Sequence, residues 1–316
     1  MSWKLMLRRT GLFLYDEESH YCYFNPFAFE TSDQFYLVGV VMGLAIYNST
    51  ILDIALPPFA FRKLLAAAPI TGGRGFLSPK QGLRYTLEDL QEYRPSLARG
   101  LRDLLEFEGN AEDLGLDFTI TMDKYGAAVQ VPLCSRGDQI PVTNANRREY
   151  VDLYIRYLLD KAVARQFEPF KRGFYTICGG NAFSLFRPSE IELLVRGSDE
   201  ALDIASLRAN AEYDNWGEGD PDIPGSVVAW FWETFQDASL PDQRRMLSFI
   251  TGSDRLPATG ASIMPIKVSC LGDDCGRYPM ARTCFNFLSL WKYSSKQRLE
   301  SFLWRAVHES EGFGLK

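Results

Sequence analysis

One cysteine near the C-terminus combines the features of a nucleophile. Cys284 follows Arg282 and Thr283 and opens an alternating run of apolar and polar residues that ends at Leu290. This alternation predicts a short strand with the thiol at its start. A neighbouring fixed positive charge favours the thiolate, which is the form of cysteine that attacks a carbonyl carbon. The same residues also fit a buried cysteine that packs as a small apolar side chain, and composition does not choose between the two interpretations.

The sequence on both sides of Cys284 resembles a known family. It reads YPMARTCFN over residues 278–286, YSSK over 293–296, then an amphipathic helix, and EGFG over 311–314. This order of motifs resembles the C-terminal lobe of the HECT-type ubiquitin ligases, in which the cysteine of the Thr-Cys-Phe-Asn motif accepts ubiquitin as a thioester. The resemblance implies that Cys284 is a thioester nucleophile and that the chain is an enzyme, a ubiquitin transferase.

The resemblance also assigns roles to single residues. Arg282 stands where the family often has histidine; arginine is no general base near neutral pH, but its charge lowers a thiol's pKa and holds an acidic partner. Thr283 either hydrogen-bonds near the sulfur or favours the strand. Phe313 matches a family phenylalanine that helps the lobes align for transfer to lysine, and its alternative role is packing on its own lobe. Asp53 matches an acidic position that orients or deprotonates the lysine, with a structural ion pair as the alternative.

A second group of motifs lies far upstream and resembles the N-lobe of the same family. It consists of FNP at 24–26, FE at 29–30, GLAIYN at 43–48 and LD at 52–53. The implied fold is α+β and bilobal. A mainly helical N-lobe spans 1–196 and contains a small subdomain at about 83–165; a hinge at 197–199 leads to a small α/β C-lobe over 200–316. Arg196, Gly197 and Ser198 are the expected hinge residues, because a glycine between helices absorbs a large backbone change.

In the family, the small subdomain of the N-lobe binds the ubiquitin-conjugating enzyme (E2). The motifs LLEFEGN at 104–110 and NRREY at 146–150 place its contacts on exposed leucines and aromatic residues, which suit a transient protein interface. The expected contact residues are Leu97, Leu101, Phe107, Leu114, Leu116, Tyr150 and Tyr154. The alternative is that these side chains form the inward faces of amphipathic helices.

Composition excludes several other classes of protein. The 316 residues, 46% of them apolar, suffice for one large or two ordinary domains, and the net charge of −6 argues against a nucleic-acid binder. The two histidines, His20 and His308, cannot build a multi-histidine metal site, and we expect no metal or cofactor. The six scattered cysteines suggest reduced thiols in a cytoplasmic or nuclear protein. The apolar run 35–47 is too short to span a membrane, so its Gly39 and Gly43 are expected to let a neighbouring helix approach.

The spacing of apolar residues and the positions of turn-forming and capping residues predict the local structure. We expect a hairpin over residues 12–29 around a turn at 16–20, helices over 34–52 and from Pro57, a hairpin over 117–133 that turns at 124–126, and a third strand at 140–142. Asn146 is expected to cap a helix with Glu149 reaching back to it, and Ser239 and Gly252 to bound another. The Gly/Pro-rich stretch 69–82 is expected to be an exposed insertion.

Three functions are compatible with these features. The first is an active ligase module that takes ubiquitin from a charged conjugating enzyme onto Cys284 and passes it to a substrate lysine. The second is an impaired module that binds the conjugating enzyme or ubiquitin without completing transfer, since only residues 1–10 precede the Gly11 motif where the family usually has a further strand and helix. The third is a cysteine hydrolase, for which no histidine is suitably placed in the sequence.

Overall fold

The computed structural model describes residues 11–52, 54–66, 83–179, 183, 185–258, 260 and 264–310, and at Cys284 it describes the main chain. Asp53, Phe313 and the stretch 69–82 lie outside the described residues. The fold is α+β. The chain forms two compact units: an N-terminal unit with the described residues of Lys4–Asn48 and Ile54–Glu192, and a C-terminal unit with those of Ser49–Asp53 and Leu193–Lys316.

The N-terminal unit begins with the expected hairpin. Strands β1 (Phe13–Tyr15) and β2 (Cys22–Phe24) pair antiparallel, and helices α1 (Ser32–Tyr47) and α2 (Pro58–Ala66) follow. Helix α1 ends earlier than predicted, at Tyr47. The interior is built from aromatic rings of these elements and of α6 (Ala164–Ile177), including Tyr23, Phe24, Phe35, Phe59, Phe167, Phe170 and Phe174. Aromatic burial on this scale is a main source of the unit's stability.

Helices α1 and α6 cross at glycines, as the spacing of Gly39 and Gly43 predicts. A Cβ at Gly39 would lie 2.0 Å from the carbonyl oxygen of Phe170, and a Cβ at Gly173 would lie 1.9 Å from that of Tyr36. Both distances are shorter than any real Cβ contact, so only glycine allows the two backbones to approach this closely. The lack of a side chain at Gly39 and at Gly173 therefore determines where the two helices cross.

The rest of the N-terminal unit surrounds a two-stranded ribbon. Helices α3 (Leu87–Tyr93) and α4 (Pro95–Glu106) precede strands β3 (Thr119–Lys124) and β4 (Ala127–Pro132), and α5 (Arg147–Leu159) follows. The predicted hairpin is confirmed, with its turn at Tyr125 and Gly126. The predicted third strand is wrong, because the segment makes only an isolated bridge between Asp117 and Pro141.

The predicted capping box at Asn146 is also wrong. The Asn146 side chain turns back along the preceding loop, where its oxygen accepts from the Thr143 N–H at 2.7 Å and its amide donates to the Pro141 carbonyl at 3.0 Å. An asparagine that satisfies a loop in this way is not available to the helix amides. Helix α7 (Pro188–Arg196) then carries the chain from one unit into the other.

The C-terminal unit packs helices against a four-stranded sheet. Its strands are β5 (Glu212–Asp214), β6 (Lys267–Asp273), β7 (Met280–Arg282) and β8 (Phe287–Lys292), in the order β5-β6-β8-β7. Strands β5, β6 and β8 are parallel neighbours, and β7 runs antiparallel to β8. The helices are α8 (Ile204–Ala209), α9 (Val227–Gln236), α10 (Leu240–Thr251) and α11 (Lys296–Ser310).

One face of this sheet is covered by helices. Val268 and Leu288 lie on the covered face and share a core with Trp232 of α9, Leu247 of α10 and Leu303 of α11. Ser239 accepts from the Asp242 N–H to cap α10, and Gly252 ends it in the left-handed conformation, as predicted. Among the described residues, no helix is both long and apolar enough to cross a membrane.

Candidate functional site

Cys284 lies on a tight turn at the edge of the sheet. A single turn of 3-10 helix, Thr283–Phe285, connects β7 to β8. The prediction that Cys284 opens the strand is therefore wrong, because β8 begins at Phe287, three residues later. The turn joins the edge strand β7 to its neighbour β8, so it lies at one end of these two strands. A residue on such a turn stands at the border of the fold, where a large protein substrate can approach it.

Two contacts hold the ends of this turn. At its end, Asn286 adopts the left-handed conformation with φ of 50°, which asparagine tolerates better than most residues, and its carbonyl accepts from the Lys267 N–H at 2.9 Å. At its start, the Thr283 side chain packs against Gly252, where a Cβ would lie 3.3 Å from the Thr283 Cβ. The turn is thus fixed to strand β6 and to the end of α10.

Arg282 lies on the outer face of the sheet. Its side chain is exposed, and its guanidinium stands 5.7 Å from the centre of the Phe287 ring on the paired strand. This contact gives the charge a preferred place near the turn. A positive charge at this position stabilises anionic groups that come close to it.

Exposed apolar side chains occur on the turn and in the segment that leads into it, and the sequence analysis did not identify them as exposed. Phe285, directly after Cys284, is 70% exposed, and Met280 and Tyr278 are also exposed. Exposed large apolar side chains in one neighbourhood mark interaction surfaces. In an alternating strand pattern, every second side chain faces solvent, so the pattern does not single out these residues as a surface. Phe285 is exposed because it lies on the 3-10 turn.

The two histidines make contacts elsewhere. His308 stacks on Trp304 in α11. The pKa of Asp242 is kept below its usual value mainly by a hydrogen bond from Ser239, with smaller contributions from Arg245 and then His308. Asp242 lies at the start of α10, whereas the Cys284 turn packs at the end of that helix, about 15 Å further along its axis. The other histidine, His20, pairs its Nδ1 with the Tyr15 hydroxyl in the hairpin turn of the N-terminal unit.

The predicted hinge residues are bound to the C-terminal unit. Gly197 has a φ of 76°, and a Cβ there would lie 2.4 Å from the Leu256 carbonyl oxygen. The Ser198 N–H donates to the same carbonyl at 2.7 Å. Arg244 of α10 adds an ion pair with Asp199 at 3.0 Å. Arg196 ends α7 directly before these contacts.

The residues predicted to contact a conjugating enzyme divide into three groups by their exposure. Phe107, Leu114 and Leu116 are between 37% and 44% exposed. Leu101 and Tyr150 are buried, and burial raises the pKa of Tyr150 to about 12. Leu97 and Tyr154 are half-buried, and Tyr154 packs edge-on against Tyr150.

A comparison with protein families identifies the chain. A family model described as "HECT-domain (ubiquitin-transferase)" matches residues 1–316. The chain belongs to the HECT-domain family.

Curated relatives of this HECT domain carry consistent names. It is 39% identical over 321 residues to the "Probable E3 ubiquitin-protein ligase HECTD2" of Mus musculus, a match that covers 99% of this chain and 40% of the relative. It is 37% identical over 344 residues to the "Probable E3 ubiquitin-protein ligase mug30" of Schizosaccharomyces pombe, and this match covers 99% of this chain and 41% of the relative. It is 35% identical over 316 residues to the "Probable E3 ubiquitin-protein ligase HERC4" of Homo sapiens, and this match covers 99% of this chain and 28% of the relative.

The chain thus spans less than half the length of each of these relatives. The family match and the names support a HECT-type ubiquitin-transferase module, and they do not favour a module that only binds its partners. Within the parts of the HECT domain that the structure describes, no group of three or more histidine, cysteine, aspartate or glutamate side chains could hold a metal ion.

Proposed function

We propose that this chain is the catalytic module of an E3 ubiquitin-protein ligase and that Cys284 is its nucleophile. The observation that carries the proposal is the position of Cys284 on an edge turn of the C-terminal sheet in a chain of the HECT family. No packed strand covers that edge among the described residues, so a bulky thioester can approach it.

The reaction consists of two acyl transfers. The Cys284 thiolate attacks the carbonyl carbon of the thioester that joins ubiquitin to a conjugating enzyme. The new carbon–sulfur bond replaces the old one, and the thiolate of the conjugating enzyme leaves. A substrate lysine amine then attacks the Cys284 thioester, an amide forms, the Cys284 thiolate leaves, and the amine gives up its proton. Thioester exchange is nearly balanced in free energy, so the protein chiefly supplies position and a thiolate.

The neighbours of Cys284 support this chemistry in separate ways. Arg282 favours the thiolate and binds acidic groups of an approaching partner through its positive charge. Thr283 sets the direction of the turn through its contact with Gly252. Asp53 and Phe313 act, by family resemblance, on the lysine and on lobe alignment during the second transfer.

The N-terminal unit supplies the docking surface for the conjugating enzyme. We assign the direct contacts to Phe107, Leu114 and Leu116, since these side chains are exposed. Leu101 and Tyr150 are buried, and we assign them to the interior that supports this surface. Leu97 and Tyr154 contribute their exposed edges. The proposed lobes are 1–196 and 200–316, joined at a hinge over 197–199, and the proposed compartment is the cytoplasm, with the nucleus as a second site.

A discharge assay tests the proposal. The chain is mixed with a conjugating enzyme charged with ubiquitin, and the products are separated without reductant. We expect a band heavier by one ubiquitin that a thiol reagent removes and that Cys284→Ala abolishes. Cys275→Ala is the matched control, because Cys275 is an exposed thiol in the same unit and its loss should leave the band intact.

Two outcomes would contradict the assignment. A thiol-sensitive band that survives Cys284→Ala would move the nucleophile to another cysteine. A folded chain that forms no band with any of several charged conjugating enzymes, yet binds them, would identify a module that docks without transfer.

A further inference from the structure

A stacked aromatic pair connects two distant parts of the N-terminal unit. Phe29 lies in the loop between β2 and α1, and Tyr125 lies at the tip of the β3–β4 hairpin, called the ribbon below. Their ring centres are 4.7 Å apart and nearly parallel. The Tyr125 hydroxyl donates to the Phe27 carbonyl at 2.7 Å, and the Lys124 ammonium stands 5.8 Å from the Phe27 ring. The ribbon tip is therefore joined to this loop by three different contacts.

The backbone conformation at Tyr125 makes tyrosine an unusual residue at this position. Tyr125 and Gly126 have φ of 55° and 84°, the geometry of a two-residue hairpin turn with both central residues left-handed. Asparagine, aspartate and glycine are the usual residues at the first of these positions, because other side chains are strained there. A tyrosine at this position is locally unfavourable, and the stack on Phe29 offsets that strain.

The ribbon needs a support at its tip. It is two-stranded, and side chains from Thr121 to Gln130 are mostly exposed. A hairpin with solvent on both faces is marginally stable alone. Its buried base, at Ile120 and Leu133, is about 17 Å from the tip, so a contact there resists rotation of the ribbon effectively.

The loop that receives the tip is itself rigid. The Asn25 side chain bonds to the Gly11 carbonyl at 2.9 Å and to the Phe27 N–H at 3.0 Å. Gln166, buried in α6, donates to the Pro26 carbonyl at 3.1 Å. The tip thus rests on backbone that is fixed to the core of the unit.

A second attachment lies on the β1–β2 turn. Ser96 and Arg99 at the start of α4 both bond to the Glu18 carboxylate, at 2.5 and 3.0 Å, and Ser19 donates to the Tyr93 carbonyl at 2.8 Å. The part of the unit between residues 83 and 165 is also held by ion pairs of Arg62 with Asp89 and of Lys63 with Asp160, and by the contact of the Tyr93 ring with Tyr23. The stack of Phe29 on Tyr125 adds an attachment at the tip of the ribbon.

We propose that Phe29 and Tyr125 are positioning residues for ubiquitin transfer. Their stack fixes the orientation of the surface formed by Phe107, Leu114 and Leu116, and hence of the thioester on a conjugating enzyme bound there. Leu116 lies three residues before β3, so the ribbon and this surface move together. The inference rests on the proposed function, because it concerns how the docked enzyme is presented.

The deciding variant is Tyr125→Asn, which removes the ring and supplies a residue that the turn prefers. With charged conjugating enzyme as the varied reactant, we expect kcat for transfer to Cys284 to fall about threefold to tenfold while KM is unchanged. Tyr125→Phe keeps the ring and should retain nearly all of the activity. Phe29→Ala should match Tyr125→Asn, and the double variant should be no slower than either single variant, because both lose the same contact.

Amide hydrogen exchange gives a readout that does not require transfer. Tyr125→Asn should accelerate amide exchange in the ribbon and in residues 25–29, although asparagine suits the left-handed turn position better than tyrosine does. Unchanged or slower exchange would overturn the proposed attachment. A higher KM with unchanged kcat would overturn the positioning role, and so would additive losses in the double variant. If the unaltered chain accepts no ubiquitin, the proposed function fails with the positioning role, and exchange still decides whether the stack holds the ribbon.

Discussion

Gly197→Ala, at the proposed hinge, should destabilise the C-terminal unit far more than an ordinary glycine substitution. Two separate effects contribute. Alanine in the left-handed conformation costs about 1 kcal/mol. In addition, the new Cβ would lie 2.4 Å from the Leu256 carbonyl oxygen, which is backbone and cannot rotate away. The Leu256 peptide must then move, and the Ser198 hydrogen bond of 2.7 Å to the same carbonyl is strained, which adds about 2 kcal/mol.

The chain provides a matched control for the conformational effect. Gly225 has a φ of 83°, close to the 76° of Gly197, but a Cβ there meets no atom within 4 Å. Gly225→Ala should therefore lose about 1 kcal/mol, and Gly197→Ala about 3 kcal/mol, of unfolding free energy. The difference between the two variants measures the backbone overlap alone.

Tryptophan fluorescence during urea unfolding is the appropriate assay. Five of the six tryptophans lie among the described residues of the C-terminal unit, and residues 11–192 contain none; the five are Trp216, Trp230, Trp232, Trp291 and Trp304. The emission change therefore reports unfolding of that unit. Equal losses in the two variants would refute the reasoning, because they would show that the close approach of Gly197 to Leu256 does not constrain the proposed hinge.

Three further expectations concern other parts of the chain. Gly39→Ala should destabilise the N-terminal unit by about 3 kcal/mol or more, measured by hydrogen exchange, because its Cβ would overlap backbone of α6. Phe107→Ala should weaken binding of the conjugating enzyme without shifting the melting temperature, whereas Leu101→Ala should cost about 2–4 kcal/mol of stability; the reverse pattern would exchange their assignments. Burial raises the pKa of the Cys178 thiol to about 11, so iodoacetamide at pH 8 should spare Cys178 in the folded chain and modify the exposed Cys275.

Local signals in the sequence predicted helices and hairpins well. Ser239 and Gly252 marked the ends of α10, because caps depend on neighbouring backbone amides and on φ. The close crossing at Gly39 could be predicted for the same reason, since a missing side chain is visible in the sequence. The helix ends are decided within a few residues of the chain, whereas at Gly39 the sequence shows the missing side chain but not the distant helix α6 that approaches it.

Features decided by distant residues could not be predicted in this way. The apolar face of α4 was visible in the sequence as leucines at helical spacing, but this spacing does not say whether the rest of this chain or a partner protein covers them. The structure shows that Leu101 is covered from within, while Phe107, at the end of the same helix, remains exposed. Asn146 had the right residue type for a cap, and a competing bond to the Thr143 N–H decided its orientation.

The turn of Cys284 illustrates how a site can be recognised from its motif before its geometry is known. Thr-Cys-Phe-Asn alternates like a strand, yet it folds as a 3-10 turn because Asn286 is left-handed and bonds to Lys267, a partner nineteen residues earlier on β6. Thr283 makes the matching contact at the other end, with Gly252 of α10. The flanking residues therefore fix the main chain at position 284, and the cysteine itself is free to serve chemistry. By this reasoning, substitutions of Asn286 or Gly252 should slow transfer by displacing Cys284, the proposed nucleophile, from its place on the turn.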